Sequence, residues 1–465
     1  MVRRKCLNGA MNNRGQKASA TPGNAKPTPE EHLATITKLI EQCGAGPSIE
    51  EVAVVDALGR TLVESVPAPY DSPRFSNSQV DGYALSRAAL ERLPGHFSVG
   101  DDIPAGTDPA AVYPDGIDPE NTGEMIVPIM TGAQVPEGTA AIVRVEDAIP
   151  PEFPGTPEKE SAGATEKVSA GAGKEEVDRT APSGTYAHAR REIVAAQSGQ
   201  FVRQQGIDSS AGDIIVAAGE VLTPTAIAAL AFQGVPTVQV RTRARVLIAT
   251  GGAEVAEIGK LDTEAGSAII PDANFPLLAA QARRYGLEPV GRVHIDDDVD
   301  KLAASLQQAI EECHPDLVVT SGGISKGKYE VVRQLLADGS DAWFGAVSQQ
   351  PGGPQGYGSY AGVPCVCLPG NPVSSLVSFR LFVAPALGVV PDPIEVIATE
   401  SLTGLADKDQ FLRARLEYSG GHVRARIVSG PGSHLLQQAV AADALVRVPA
   451  GATINARQRV WAYPL

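Results

Sequence analysis

Three short segments of this 465-residue chain place small, flexible residues where backbone amides can meet an anion. They are Thr250-Gly251-Gly252, Ser321-Gly322-Gly323 and Pro369-Gly370-Asn371-Pro372. Each ends an apolar, strand-like run. Glycines there let amides approach a negative ligand closely, and a following helix adds its N-terminal dipole. One such loop is ordinarily only a tight turn; three in one section point to a phosphate-bearing or pterin-like ligand. None has the G-x-x-x-x-G-K-[ST] or G-x-G-x-x-G form, which counts against ordinary nucleotide triphosphatases and dehydrogenases. The acidic candidates are Asp272, which with Asn274 stands just before a helical pattern, and Asp81, in Asn77-Ser78-Gln79-Val80-Asp81-Gly82-Tyr83. The plainer readings are a helix cap for the first and an Asp-Gly turn for the second. Asp296, Asp297 and Asp298 read as a solvated helix start. No histidine pair has zinc spacing, and His434 reads as a residue that orients its loop. Cys365 and Cys367 alternate on one strand and read as a buried pair of small apolar side chains.

The elements that must position these residues follow from periodicity. Thr28-Pro29-Glu30-Glu31 is a capping box, and Leu33, Ile36, Leu39 and Ile40 continue it at helical spacing. From Val52 to Val145 the runs are short, β-branched and broken by Pro and Gly, which predicts a strand-rich module. Between Arg243 and Leu387 strands and helices alternate: Val246–Ala249, Leu277–Ala282, Pro289–His294, Leu302–Ile310, Leu317–Val319, Val331–Leu336, Val363–Leu368 and Val373–Leu387. That grammar predicts a parallel sheet with helices on both faces. After Pro391 short alternating strands predict a small β-barrel or sandwich. Residues 1–27 read as a disordered tail, and Pro150–Ser183 as a flexible surface insertion.

Composition bounds the function. With 54 acidic and 39 basic residues the formal net charge is −15, which argues against nucleic acid as a partner. No apolar run approaches the roughly 20 residues of a membrane-spanning helix. Arg3, Arg4 and Lys5 lack a following apolar core, so no secretory signal is read. Five scattered cysteines give no disulfide framework. A cytoplasmic protein is expected.

The motifs, taken in order, resemble one family. Asn77–Ala84 is similar to the Asn-Ser-x-x-Asp-Gly-Tyr-Ala signature of the molybdopterin molybdenumtransferases, the bacterial MoeA proteins and the gephyrin E domain. Ile129–Gly138, Glu146-Asp147, Arg203–Asp208 with Ala211-Gly212, Asp272-Ala273-Asn274, Ser321–Ser325, Leu368–Ser374, Gly432–Leu435 and Ala442–Leu445 match further motifs of that family. The resemblance runs from Thr28 to Leu465 and skips only the tail and the insertion. It implies an elongated homodimer of α/β and β domains. A linking and dimerisation domain (28–65 and 190–241) carries an inserted strand-rich module (66–149) and the flexible insertion (150–189). A three-layer α/β molybdopterin-binding domain (242–388) and a C-terminal β-barrel (389–465) follow.

The implied activity is insertion of molybdate into adenylylated molybdopterin with release of AMP, assisted by magnesium. The molybdopterin adenylyltransferase is a further partner the resemblance suggests. The implied site is shared between the α/β domain of one subunit and the strand-rich module of the other, so that Asp81 meets Asp272. Catalytic carboxylates are then Asp272, Asp208 and Asp81, with Asp272, Asp81 and Glu330 as metal candidates. Thr250, Gly251, Gly252, Asn274, Ser321, Gly322, Gly323, Ser325, Pro369, Gly370, Asn371 and Pro372 would bind the pterin and AMP. Ser374, Ser375, Lys326, Lys328 and Gln350 would bind molybdate.

The chain departs from the family in two respects that touch the chemistry. Where many members carry a lysine-rich Lys-x-x-x-Lys-Pro-Gly-Lys-Pro segment, this one has Ala346–Gly356 without a lysine, and the common Gly-Asp-Tyr after the Ser-Gly-Gly loop is Gly327-Lys328-Tyr329, followed by Glu330. Lys326 and Lys328 are the expected substitutes. Two other activities remain open from sequence: adenylylation of molybdopterin, and a non-catalytic scaffold of the gephyrin kind.

Overall fold

The computed structural model describes residues 26–154, 189–252, 254–256, 269–324, 330–337, 339 and 341–465. The sequence-stretches read as tail and insertion lie almost wholly outside the described residues. Two compact units form: residues 51–240 are one, and residues 1–50 with 241–465 are the other.

The second of these units contains the parallel sheet. Its strands are β1 (Arg245–Gly251), β2 (Glu288–Ile295), β3 (Leu317–Ser321), β4 (Trp343–Ala346), β5 (Pro354–Tyr360) and β6 (Val363–Leu368). The order is β2-β1-β3-β6-β5-β4, with the first four parallel and β5 and β4 an antiparallel edge. Helices cover both faces, which is why the strands read as unbroken apolar runs. On one face α1 (Pro29–Gln42), α2 (Asn274–Arg284) and α5 (Pro372–Ser378) pack Ile36, Ile40, Leu278, Ala282 and Val377 against Val246, Ile248, Leu317 and Val366. On the other, α3 (Val299–Cys313) and α4 (Val331–Leu336) pack Leu302, Leu306, Val331 and Leu336 against Leu247, Ala249, Val318, Cys365 and Cys367. Burial pushes the Cys367 thiol up to about 12 and raises Cys365 as well, so both remain uncharged core residues.

The capping box at Thr28 forms as the sequence predicts: Glu31 N donates to Thr28 Oγ1, and Thr28 N donates to the Glu31 carboxylate. Its helix, however, packs into the α/β core. The sequence reading placed it with the linking segment, because an amphipathic stripe shows that a helix buries a face without showing against which sheet.

The C-terminal strands close into a five-stranded barrel. Asp409–Ser419, His422–Ile427, Ile394–Ala398, Arg459–Pro464 and Ala444–Val448 pair in that order, and the last returns to the first. Closure removes the free edge. The short strand Gln349–Gln350 adds in parallel to Asp409–Gln410, tying the loop between β4 and β5 to the barrel.

The unit spanning residues 51–240 holds a six-stranded sheet in the order Thr139–Arg144, Gly82–Ser86, Met125–Ile129, Gly95–Val99, Arg190–Ile193, Ala148–Ile149. A separate core gathers Val54, Leu62, Val216, Leu222, Leu230 and Val240. Two boundaries differ from the sequence reading. Arg190–Ile193 pairs with Gly95–Val99 and so belongs to the strand-rich sheet, whereas Val66–Pro67 pairs with Ile214–Val216. Hydrogen-bonded register, not local composition, decides these memberships.

Candidate functional site

The parallel strands end together. Thr250 is level with Ser321, and Ser321 with Leu368, so the three glycine-bearing loops converge at the carboxyl edge of the sheet. Their backbones touch: a Cβ added at Gly370 would lie 3.5 Å from the Gly322 Cα. Gly322 and Gly323 have φ of +102° and +69°, a region open to glycine but costly for other residues. At Gly251 a Cβ would come within 2.7 Å of the Ile295 amide nitrogen.

These loops frame a cleft with two adjoining lobes. The first, of about 570 Å³, is lined by Gly251, Gly252, Asp272, Asn274, Gly322 and Gly323 among others. The second, of about 690 Å³, runs from Gly322 and Gly323 to Gln350–Pro354, Ser374 and, from the C-terminal domain, Lys408 and Pro431–His434. Glu254, Glu330, Gly370 and Asn371 line both. The sequence reading missed Glu254, Lys408 and Ser433. Glu254 had a signal, three residues after the Gly251 turn, but Lys408 lies far along the chain and only barrel docking brings it to the cleft. Lys408 is the one lysine or arginine among the described residues lining the two lobes.

Individual side chains divide between cleft and scaffold. Asp272 is scaffold as well as lining: its side chain is 3% exposed and both oxygens are engaged. One accepts from the amides of Asn274 (2.9 Å) and Phe275 (3.1 Å) at the start of α2; the other accepts from Thr250 Oγ1 (2.6 Å) and Arg292 Nη2 (2.9 Å). Arg292 also lies 5.1 Å over the Phe275 ring. The cap reading of Asp272 is therefore part of its role, and Thr250 is turned to it. Asn274 Nδ2 donates to the Gly370 carbonyl (2.7 Å), joining two of the loops.

Of the two serines opening α5, Ser374 lines the cleft. Ser375 is fully buried, donating to the Pro369 carbonyl (2.6 Å) and paired with Ser321 Oγ (2.9 Å), so its hydroxyl belongs to the fold. The Gln350 side-chain oxygen accepts from Gln410 Nε2 (2.8 Å). In the lysine-free stretch, buried Gln349 and Gln355 donate to the Gly352 carbonyl and fasten the loop. Ser325, Lys326 and Lys328 lie outside the described residues.

Asp81 and Asp208 belong to the unit spanning residues 51–240. Asp81 is exposed, with one carboxylate oxygen accepting from Thr131 N (2.6 Å) and Thr131 Oγ1 (2.8 Å). Gly82 beside it begins a strand rather than a turn. It is glycine because a Cβ there would run into the Val143 carbonyl. Asp208, also exposed, accepts from Ser72 Oγ (3.1 Å). An irregular ladder joins the two segments: Asp208 N donates to Ser72 O, Gln205 N to Ser76 Oγ, Asn77 pairs with Arg203, and Gln79 N donates to Phe201 O. Asp208 and Asp81 sit at its opposite ends, so this ladder does not gather them into one group.

A closed barrel beside a three-layer α/β domain, with an amide-rich cleft at the strand ends, defines a multidomain protein for an anionic ligand. Three family models match in succession: MoeA N-terminal region (domain I and II) over residues 28–234, probable molybdopterin binding domain over 240–389, and MoeA C-terminal region (domain IV) over 395–465. The chain is 33% identical over 438 residues to molybdopterin molybdenumtransferase 2 of Mycobacterium tuberculosis, covering 90% of this chain and 95% of that one. It is 27% identical over 392 residues to molybdopterin molybdenumtransferase of Staphylococcus aureus, covering 82% of each. The crystal structure of the molybdopterin biosynthesis moeA protein from Pyrococcus horikoshii OT3 shares the fold, with a TM-score of 0.68, 21% identity and coverage of 95% and 100%. The chain belongs to the MoeA family.

Proposed function

We propose that this protein is a molybdenum insertase: it binds adenylylated molybdopterin and molybdate, transfers molybdenum to the pterin dithiolene and releases AMP. The observation that carries the reading is the two-lobed cleft at the three converging glycine loops. Such chemistry needs anions held in register more than a strong nucleophile. In the first lobe Gly322, Gly323 and Gly370 offer close backbone approach, with Asn274 bracing the loops. In the second, Ser374, Ser433 and Lys408 are the polar groups for molybdate, joined in this reading by Lys326 and Lys328. Magnesium, when bound, supplies charge neutralisation at the phosphates.

The residues present fit that ion in donor type, since Glu254 and Glu330 offer hard carboxylate oxygens on the wall shared by both lobes. No group of three or more His, Cys, Asp or Glu converges among the described residues. The fit is therefore to an ion that completes its shell with substrate oxygens and water. Asp272, saturated by Thr250, Arg292 and two amides, acts in this reading as the clamp that sets α2 and the Thr250 loop.

Asp81 and Asp208 would serve from the partner subunit of a homodimer. Among the described residues no helix is long and apolar enough to cross a membrane. The test supplies purified protein with adenylylated molybdopterin, magnesium and molybdate and follows AMP. Molybdate-dependent AMP release is expected. Its absence would sink the insertase reading, and adenylylation of free molybdopterin would replace it with the sister activity.

A further inference from the structure

The unit spanning residues 51–240 has a cavity of its own, of about 170 Å³, for which the insertase reading names no ligand. Part of its lining is the C-terminal end of the helix Pro224–Phe232. Phe232 and Gln233 follow Ala229 at helical spacing, so all three meet the cavity from one face. The rest comes from Ser72 and from the 208–215 stretch. Gln233 is 4% exposed, yet its Oε1 has no hydrogen-bond partner among the described residues. An amide oxygen buried without a donor is costly, and a leucine would fill the same space without that cost. The cavity is where a donor from outside the fold can reach it.

Two carboxylates line the same cavity. Asp208 accepts from Ser72 Oγ (3.1 Å) on one oxygen, and Asp213 accepts from the Ser210 amide (2.8 Å) on one of its own. The second oxygen of each accepts no hydrogen bond from the described residues. Among the described residues lining the cavity there is no lysine or arginine. Three free acceptors and two negative charges call for a cation rich in donors. The remaining walls are apolar: Ile214, Ile215 and Phe232, the last 68% exposed. A strongly hydrated ammonium gains little from such walls. A guanidinium is planar and weakly hydrated, lies well on an aromatic face, and carries five donors in a fixed fork.

We propose that this cavity is a binding site for a guanidinium group, carried by a free small cation or by an arginine of a second copy of this chain. Asp208 and Asp213 take its edges, Gln233 Oε1 accepts a further N–H, and Phe232 covers one face. Of these residues the insertase reading uses Asp208 alone. The test needs no turnover, so the two readings stand or fall separately.

The experiment is calorimetric titration of the full chain with agmatine, and with putrescine as the same carbon chain ending in ammonium. Agmatine should bind saturably and about tenfold tighter than putrescine. Gln233→Leu should weaken agmatine binding about tenfold, while its stability in denaturant unfolding is kept or raised because an unpaired buried amide is removed. Should Gln233→Leu not fold, Phe232→Ala, at an exposed position, carries the same comparison. If wild type takes up no agmatine, sedimentation decides between the sources. Self-association about tenfold weaker in the variant than in wild type would assign the guanidinium to a second copy and support the proposal; unchanged self-association would overturn it. Equal binding of agmatine and putrescine, or agmatine binding unchanged by the variant, would overturn it as well.

Discussion

His32 offers a prediction whose size can be worked out. It sits on α1 at 1% exposure, with ring centroids 5.3 Å from Trp343, 5.7 Å from Tyr357 and 4.7 Å from Phe382 in an edge-on arrangement. Its Nε2 has no hydrogen-bond partner among the described residues. Burial lowers its pKa from 6.5 to about 4. The unfolded chain therefore binds this proton at a pH where the folded chain refuses it, and stability falls as pH drops from about 6.5 towards 4. At about 1.4 kcal/mol per tenfold, the full loss is about 3 kcal/mol, of which about 2 kcal/mol has gone by pH 5.

His32→Phe keeps an aromatic ring in the cluster and removes the titration. Denaturant unfolding of wild type and variant, followed by tryptophan fluorescence between pH 7.5 and 4.5, measures the difference. The wild type should lose about 2 kcal/mol relative to the variant between pH 7 and 5. Parallel stability curves across that range would refute the argument. Asp118 does not confuse the window. Burial raises it, but hydrogen bonds from Ser86, Gly123 and Thr122 outweigh burial and hold its carboxylate below the ordinary value. Its stabilisation is lost only as pH falls through that lower value.

Two further substitutions separate scaffold from chemistry. Gly82→Ala should destabilise the 51–240 unit by about 3 kcal/mol or more, because the Val143 carbonyl occupies the new methyl's place; wild-type thermal stability would show that Asp-Gly is there only for a turn. Asp272→Asn should cost about 2 kcal/mol in denaturant unfolding, because it leaves the partly exposed Arg292 beside a neutral group. Full stability with lost activity would instead make Asp272 a reacting or metal-binding group.

Much of this was legible in the chain. The Thr28 capping box, the alternation of apolar runs with helical spacing from Arg243 to Leu387, and the three glycine loops are local signals. Each states which backbone conformation a few consecutive residues prefer. Local signals do not say which surfaces meet. Nothing around Ile36 names the sheet it is buried against, and Arg190–Ile193 shows no preference for Gly95–Val99 until strands pair. Ser374 and Ser375 are neighbours in sequence, yet one residue lines the cleft and the other has its hydroxyl fixed to the Pro369 carbonyl. Asp-Gly at 81–82 looked like a turn because the reason for glycine, the Val143 carbonyl, lies about 60 residues away.

The opening motifs, strand-end glycines with carboxylates nearby, thus pointed to an anionic ligand, since amide approach is a property of short segments, while the family's chemistry came from the resemblance those motifs carry. Tertiary structure decided which polar groups remain available to that ligand. Asp272 is consumed by Arg292, Thr250 and α2, and Ser375 by the Pro369 loop. Lys408 and the Pro431–His434 wall arrive from a barrel whose closure no single segment announces. Burial and hydrogen-bond saturation depend on every element packed around a group, so they are settled only when the chain has folded.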